Sequence, residues 1–377
     1  MGLVIVGGGV IGCATAYFVA REYGVPALVL ERDPAYTRAS SALSASSIRQ
    51  QFSTPLNIAL SRASLELMAP WRNDLSFVEA GYLYLASEAG AEALRALNWV
   101  QRAAGADIRL LEPDALRTRW PWLATDGIRL GSWGARGEGW FDGPALHQRL
   151  RREALALGVR FTRADVQGFD THGDTVRAAV DANGTRFEAQ QLLLCAGAWS
   201  APLAAALGVA LPVRARKRDV FVLEASAGLP GCPLLIDPSG VWMRPDQRVF
   251  LAGAPPRDGD PDDAALDAID HGLFEETIWP VLAARIPAFE ALRVRSAWAG
   301  YYEMNTFDHN GLVGALPGWR NAFTACGFSG HGMQHALAVS RGLASFVVRG
   351  EWGAIDLSPL SPERLARHAP LVESNII

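Results

Sequence analysis

A glycine triplet near the amino terminus has the spacing G-x-G-x-x-G, with Gly7, Gly9 and Gly12 as its members. In this pattern the first glycine permits a tight turn, the second lets the backbone approach a pyrophosphate, and the third lets a helix pack closely on the preceding strand. A helix that starts at Val10 and Ile11 would present free N–H groups and the positive end of its dipole to phosphates. The spacing predicts a dinucleotide site, but the motif alone is a weak signal because an ordinary glycine-rich turn can share it.

The elements predicted around the triplet strengthen this interpretation. A short apolar run predicts a buried parallel strand at Leu3–Val6, a helical pattern follows at Val10–Tyr23, and a second buried strand is predicted over residues 27–30. Glu31 ends that second strand, 19 residues after Gly12. A carboxylate at this place can accept hydrogen bonds from ribose hydroxyls. Together these features predict a strand–helix–strand unit that holds a dinucleotide.

Three further features bear on which dinucleotide binds. Arg32 follows Glu31, a pairing that is common in FAD proteins. Residues 39–51 are small and hydroxyl-rich, which suits close passage along a flavin, although a flexible serine loop is the alternative. Glycines in residues 327–333 lead into a helical pattern over residues 334–348, and such a helix start suits the N1–C2=O region of a reduced flavin. These features favour FAD, and they add the following predicted contacts: Ser40, Ser41, Ser46, Ser47, Ile48, Gly327, Gly330, His331, Gly332 and Met333.

The composition excludes several classes of protein. A net charge of −4 over 377 residues, with a pI near 6.0, argues against a nucleic-acid-binding protein. The four cysteines lie far apart, so neither a zinc site nor another metal site is expected. No apolar run reaches the roughly 18 residues of a transmembrane helix, and the first strand leaves no room for a signal peptide. We expect a cytoplasmic protein.

The length suits two domains, and the predicted elements interleave them. Alternating patterns predict strands of an antiparallel sheet over residues 81–86, 219–224 and 241–251, and helical patterns cover 91–103 and 144–157. The predicted fold is α/β: a Rossmann-like FAD-binding domain with an inserted antiparallel β-sheet substrate domain. The FAD-binding domain takes residues 1–80, 140–215 and 306–377, and the substrate domain takes 81–139 and 216–305.

The chain resembles the D-amino-acid oxidase superfamily of FAD enzymes, which includes glycine oxidase, sarcosine oxidase and sarcosine dehydrogenase. Within it the sequence is similar to the mitochondrial FAD-dependent oxidoreductases linked to complex I assembly. Besides the motifs above, the resemblance rests on residues 139–142, 195–200, 216–218, 298–302, 305–308, 356–359 and 375–377. It places the following residues among the FAD contacts: Val166, Ala196, Gly197, Trp199 and Gly300.

The resemblance implies oxidation of the C–N bond of an amine or amino acid, with a hydride equivalent passed to flavin N5 and hydrolysis of the imine product. A secondary or N-substituted amine is the favoured substrate, and oxygen or an electron carrier is the acceptor. Gly300 stands near the place of the cysteine that tethers the flavin in some relatives, and no histidine precedes His147. We therefore expect FAD to be bound non-covalently.

The resemblance also suggests catalytic candidates. Tyr302 stands where glycine oxidase-like members have the arginine that binds the substrate carboxylate, and a phenol offers no bidentate charge pairing. Arg49 or Arg244 would then supply the charge, the alternative being that each is a surface arginine. The His331 ring either faces the ligand or merely begins the helix.

The distribution of lysine bears on the electron acceptor. Lys217 is the only lysine, and none lies near residues 248–251, where oxidase relatives place one close to flavin N5. This departure favours a dehydrogenase or a slow oxidase. Two alternatives remain open: FAD-dependent oxidation of a 2-hydroxy acid, and an assembly factor with little turnover.

Overall fold

The computed structural model describes residues 2–226, 228–257 and 259–375, so Ile376 and Ile377 of the carboxyl-terminal segment lie outside the described residues. The strands, numbered along the chain, are β1 (Leu3–Val6), β2 (Ala27–Glu31), β3 (Ser47–Ile48), β4 (Tyr82–Ala86), β5 (Ile108–Leu111), β6 (Leu130–Gly134), β7 (Gly139–Trp140), β8 (Arg160–Arg163), β9 (Val166–His172), β10 (Thr175–Asp181), β11 (Arg186–Glu188), β12 (Gln191–Leu194), β13 (Val213–Glu224), β14 (Leu234–Ile236), β15 (Trp242–Asp246), β16 (Val249–Gly253), β17 (Arg293–Asn305), β18 (Leu312–Ala315) and β19 (Ala322–Cys326). The α-helices are α1 (Val10–Tyr23), α2 (Ser40–Leu43), α3 (Pro55–Met68), α4 (Glu88–Ala103), α5 (Pro113–Arg119), α6 (Gly143–Ala156), α7 (Ser200–Ala205), α8 (His271–Leu273), α9 (Trp279–Arg285), α10 (Gly332–Arg349) and α11 (Glu363–Ala366).

Shorter helical turns connect some of these elements. They are the 3-10 turns Ala69–Trp71, Gly197–Trp199, Pro287–Phe289 and Ser358–Leu360, and the π-helical turn Phe274–Ile278. Among the described residues, no helix combines the length and apolar character that a bilayer crossing requires.

The first sheet is six-stranded, in the order β18-β19-β12-β1-β2-β8. Every neighbouring pair from β19 to β8 is parallel, and β18 adds an antiparallel edge. The predicted strand–helix–strand unit is confirmed, with α1 at its predicted bounds. The carboxyl ends of β1, β2, β12 and β19 consequently open on the same edge, where doubly wound sheets bind ligands.

Both faces of this sheet are covered, which explains the continuous apolar run of β1. Leu3 and Ile5 pack in the cluster that contains residues of α1, α6 and α10, whereas Val4 and Val6 pack with Val176 and its neighbours. The second face is covered by a three-stranded antiparallel sheet, β11-β10-β9. The sequence did not predict this small sheet because β9 and β11 are partly exposed and carry few apolar residues, so their apolar alternation is weak.

The other large sheet is eight-stranded, in the order β17-β13-β16-β15-β14-β4-β6-β5. The expectation of a wholly antiparallel sheet needs a correction, since β14 and β4 pair in parallel. The single strand predicted over residues 241–251 is the hairpin β15–β16, because Gln247 has a φ of +55° and turns the chain. The strand predicted at 219–224 is the end of the longer β13, and α4 starts three residues earlier than predicted.

The two large sheets take their strands from different parts of the chain, which alternate along the sequence. Those of the six-stranded sheet lie within 1–80, 140–215 and 306–377, and β13 begins at Val213, just before the predicted boundary at 216. β17 contacts both α2 and the turn Gly197–Trp199, which brings the two large sheets together at one edge.

Candidate functional site

A cavity of about 520 Å³ runs from the carboxyl ends of the parallel strands to the eight-stranded sheet. This volume is within the usual range for ligand sites in proteins. Most of the predicted contacts line it: Gly7, Gly9, Val10, Ile11, Glu31, Arg32, Ser40, Ser41, Ser46, Ser47, Val166, Ala196, Gly197, Trp199, Gly300, Tyr302, Gly330, Gly332 and Met333. The structure thus gathers residues from seven separate parts of the chain around one elongated space.

The glycine triplet has the geometry that its spacing predicts. Gly7 has a φ of +101°, and a Cβ there would lie 2.4 Å from the carbonyl oxygen of Cys195. A Cβ at Gly9 would lie 3.2 Å from Ser41 Oγ, within the cradle itself. Gly12 does not line the cavity. A glycine is needed there for close packing, because a Cβ would lie 2.0 Å from the Gly7 carbonyl oxygen. The cradle therefore fits a phosphate-bearing group that approaches the backbone closely.

Glu31 is fixed by two backbone donors at the carboxyl end of β2. Its Oε2 accepts a hydrogen bond from the Gly8 N–H at 2.8 Å, and its Oε1 accepts one from the Asp33 N–H at 2.8 Å. Each carboxylate oxygen can accept more than one hydrogen bond, so both can also receive a ribose hydroxyl. Glu31 marks the adenosine end of the cavity.

Side chains around Trp199 complete the adenosine end. The Arg32 guanidinium carbon lies 3.9 Å from the centroid of the Trp199 ring, and that of Arg38 lies at 5.8 Å. These are cation–π distances, and the ring borders the cavity together with Val166.

The serine segment is ordered by specific contacts and is not a flexible loop. Ser41 Oγ accepts a hydrogen bond from the Val10 N–H at 2.9 Å, and so satisfies one free donor of α1. Ser40 donates to the Tyr301 carbonyl at 2.7 Å, which ties α2 to β17. Ser47 Oγ accepts a hydrogen bond from the Tyr82 hydroxyl. Ile48 is fully buried and does not line the cavity.

The turn before α10 presents backbone donors to the opposite end of the cavity, which we call the flavin end. Gly330 has a φ of +93°, and a Cβ there would lie 2.4 Å from the Tyr302 ring, so the ring packs directly on this glycine. Gly332, Met333 and Gln334 line the cavity and follow the N-cap residue, so their N–H groups have no partner within the helix. Gly327 lies behind the cavity wall, with a φ of +74°.

Of the two alternatives for the His331 ring, the structure favours the residue that begins the helix over the one that faces the ligand. Its ring is 2% exposed, lies 5.4 Å from the Phe52 ring and 5.2 Å from the His335 ring, and does not line the cavity. Burial lowers its pKa to about 3, so the ring is neutral. Its backbone N–H donates to the Phe328 carbonyl at 3.0 Å. The backbone N–H groups that remain free for a ligand at this helix start are therefore those of residues 332–334.

Arg49 also turns away from the cavity. Its guanidinium carbon lies 4.0 Å from the Phe52 ring centroid, and it donates to the carbonyls of Gln51 and Asn375, each at 2.5 Å. The side chain therefore anchors the carboxyl-terminal segment, and neither of the two sequence-based alternatives, a residue that faces flavin or substrate or a surface arginine, describes it. A strand-and-loop prediction could not show this, because the contact joins residues 326 positions apart.

Arg244 is buried behind the serine segment. It donates to the Ala45 carbonyl at 2.8 Å and pairs with Asp246 at 3.0 Å, and burial lowers its pKa below the usual arginine value. It does not line the cavity, so it acts by holding the backbone of Ala45, which does.

Sequence reasoning missed several residues at the flavin end. Arg218 lines the cavity, lies 5.2 Å from the Tyr302 ring centroid and binds Asp260 through Nη1 at 2.7 Å and Nη2 at 2.9 Å. The available signal was the segment 216–218, which the resemblance included without a role for Arg218. In the structure Arg218 pairs with Gly300 across β13 and β17. The following neighbours were missed as well: Val220, Trp242, Ala254, Pro255 and Glu303.

Neither Lys217 nor a metal site adds a functional group to the cavity within the described residues. Lys217 Nζ pairs with Asp219 at 3.3 Å and donates to the Ala268 carbonyl, and it does not line the cavity. Within residues 2–226, 228–257 and 259–375, no group of three or more His, Cys, Asp or Glu side chains is arranged to hold a metal ion.

Comparisons with known proteins agree with this geometry. Residues 3–346 match the DAO family model, described as FAD dependent oxidoreductase. FAD-dependent oxidoreductase domain-containing protein 1 of Xenopus laevis is 39% identical, over 100% of this chain and 84% of that protein. Mitochondrial sarcosine dehydrogenase of Homo sapiens is 24% identical, over 92% of this chain and 40% of its own length. The crystal structure of L-proline dehydrogenase from P. horikoshii superposes with a TM-score of 0.88, at 22% identity and over 98% of each chain.

Proposed function

We propose, from the premise that this chain belongs to the DAO family of FAD-dependent oxidoreductases, that it oxidises the C–N bond of an amine or amino acid. A secondary or N-substituted amine is the favoured substrate. The bound FAD would accept a hydride equivalent from the substrate, and the imine product would then hydrolyse. The two relatives named for sarcosine and L-proline dehydrogenation support this substrate class, since both of those substrates are secondary amines.

The observation that carries the proposal is the composition of the flavin end. Trp242, Val220, Ala254 and Pro255 give it an apolar wall. An apolar wall disfavours an ammonium ion and so favours the neutral amine, which is the form that can be oxidised. Tyr302 supplies a hydroxyl at the same place, and burial raises its pKa, so it remains protonated and can donate a hydrogen bond.

Arg218 would recognise the substrate carboxylate in place of Arg49 and Arg244. Its bonds to Asp260 and to the Lys217 carbonyl use three of its five N–H groups and leave the Nε–H and one Nη2–H. These two donors form the side-on fork that binds a carboxylate in bidentate geometry. The pairing with Asp260 fixes the orientation of the guanidinium.

The position of Lys217 supports a dehydrogenase or a slow oxidase. Lys217 does not line the cavity, and its ammonium group is engaged in an ion pair with the cavity-lining Asp219, which favours an acceptor other than oxygen. We further propose that FAD is bound non-covalently. A side chain at Gly300 would meet Leu43, since a Cβ there would lie 3.0 Å from the Leu43 Cβ.

Anaerobic reduction of the bound FAD tests the proposal. The holoprotein would be mixed with glycine, N-methyl amino acids, proline-like imino acids and 2-hydroxy acids, and bleaching of the flavin absorbance would be followed. We expect the N-substituted and imino acids to bleach it fastest. Bleaching by 2-hydroxy acids alone would replace the proposal with hydroxy-acid oxidation, and no bleaching would leave a flavoprotein without this activity. Admission of air then tests the acceptor, because fast reoxidation would contradict the dehydrogenase assignment.

A further inference from the structure

Glu303 is a carboxylate in the cavity wall, outside the proposed substrate contacts. It lies on β17, next to Tyr302, and is half-buried because one side faces the cavity. Its Oε2 accepts a hydrogen bond from the Gly327 N–H at 3.1 Å, and the Phe328 N–H also donates to the carboxylate. The side chain is therefore held at the turn that leads into α10.

The second carboxylate oxygen lies on the cofactor side. A Cβ at Gly332 would be 3.4 Å from Oε1, and a Cβ at Gly197 would be 3.8 Å from Oε2, so the carboxylate lies beside two glycines that also line the cavity. Gly197 follows β12 and Gly332 begins α10, so Glu303 lies between the adenosine end and the flavin end. A cofactor that spans both ends must pass this carboxylate.

The charge balance around Glu303 is unfavourable for an ionised carboxylate. In the described part of the chain no arginine, lysine or histidine pairs with it, and the titratable groups that interact with it are the thiols of Cys195 and Cys326. Burial raises the pKa of both thiols, so they are uncharged near neutral pH. Burial also raises the pKa of Glu303 to about 7. The diphosphate of FAD then brings two negative charges into the same cavity, which disfavours the ionised carboxylate further.

We propose that Glu303 takes up a proton from solvent when FAD binds, and that its carboxyl group donates a hydrogen bond to an oxygen of the bound cofactor. One O–H bond forms on the carboxylate from a proton that solvent supplies, no other bond forms or breaks, and nothing is oxidised. Glu303 thereby becomes a cofactor-positioning residue whose protonation state sets how tightly FAD is held. This role depends on FAD binding and not on which substrate is oxidised.

The test is the dissociation constant of FAD from the holoprotein as a function of pH. The holoprotein would be diluted at a series of pH values from mildly acidic to mildly alkaline, and released FAD would be measured by its fluorescence. By linkage, the constant should rise by up to about tenfold per pH unit above the carboxyl pKa in the free protein. In Glu303→Gln, whose amide cannot ionise, the constant should stay flat over the same range.

Glu138 supplies a matched control. It is fully buried and its pKa is also raised to about 7 by burial, but it accepts its hydrogen bonds from Gln50 and Gln51 and does not line the cavity. Glu138→Gln should therefore keep the wild-type pH dependence. If Glu303→Gln does not fold, Glu303→Ser removes the titrating group in the same way and should also give a flat profile. A flat wild-type profile, or an unchanged slope in the Glu303 variants, would overturn the proposal.

Discussion

The adenosine end and the flavin end of the cavity are built from different parts. At the adenosine end, the contacts come from one stretch of the chain, residues 7–41. Gly7 and Gly9 keep the backbone accessible, and the Glu31 and Ser41 side chains accept hydrogen bonds from backbone N–H groups. At the flavin end, the side chains come from β13, β15 and β17 and from the turn before α10. We expect cofactor retention to depend mainly on the backbone cradle at the adenosine end, with the Glu303 carboxyl group as an additional contact, and substrate recognition to depend on the other side chains that the eight-stranded sheet brings together. Damage at one end should release FAD, and damage at the other should spare FAD but reduce turnover.

The largest effect is expected from Gly7→Ala at the adenosine end. The added Cβ meets the Cys195 carbonyl oxygen at 2.4 Å, and alanine rarely adopts a φ of +101°. Strain and overlap together should lower the free energy of unfolding by about 4 kcal/mol and abolish FAD retention. Thermal unfolding and the flavin content of the purified protein measure both effects.

Gly24→Ala is the control for Gly7→Ala. Gly24 also has a positive φ, +64°, but no atom lies within 4 Å of its Cβ position. It should cost about 1 kcal/mol of stability from the backbone alone and leave FAD bound. Equal losses in the two variants would show that the cradle imposes no special requirement.

A change at the flavin end should have the opposite signature. Arg218→Met removes the proposed carboxylate fork and keeps most of the side-chain volume, so flavin reduction by amino acids should slow about hundredfold, or roughly 3 kcal/mol. FAD content should not change. Arg214→Met, an exposed arginine on the same strand that pairs with Asp262 at 3.4 Å, should retain the wild-type rate. Loss of FAD from Arg218→Met would contradict the separation of the two ends.

The same separation explains how much the sequence could predict. The glycine triplet and Glu31 were identified correctly as elements of one strand–helix–strand unit, because local spacing fixes their geometry. Arg49 and Arg244 were candidates for binding the substrate carboxylate, with a surface arginine as the alternative for each. Their guanidinium groups instead bind the carbonyls of Asn375 and Ala45, which lie far away in the sequence. The face of a sheet on which an arginine lies depends on how its strand pairs with its neighbours. The parallel pairing of β14 with β4 could not be predicted from the alternation of apolar residues alone.

Glu31→Ala should weaken FAD binding at the adenosine end without unfolding the protein. The carboxylate is the predicted acceptor for the ribose hydroxyls and is held in place by the Gly8 and Asp33 N–H groups at 2.8 Å, so its loss removes the ribose hydrogen bonds. A cost of about 2 kcal/mol corresponds to a roughly 30-fold rise in the dissociation constant of FAD. Glu22→Gln, on the exposed end of α1 with an ion pair to Arg341, should leave the constant unchanged. An unchanged constant in Glu31→Ala would place the ribose contact elsewhere.

The smallest effect is expected from Trp199→Leu, because Trp199 is a side-chain contact at the end that depends on backbone. The substitution removes the ring that lies 3.9 Å from the Arg32 guanidinium carbon. A cation–π contact of this kind is worth about 1 kcal/mol, so the dissociation constant of FAD should rise about fivefold. Trp199→Phe keeps an aromatic face for Arg32 and should recover most of that loss. If Trp199→Leu instead releases FAD as completely as Gly7→Ala, then a side-chain stack and not the backbone cradle governs retention, and the contrast between the two ends does not hold.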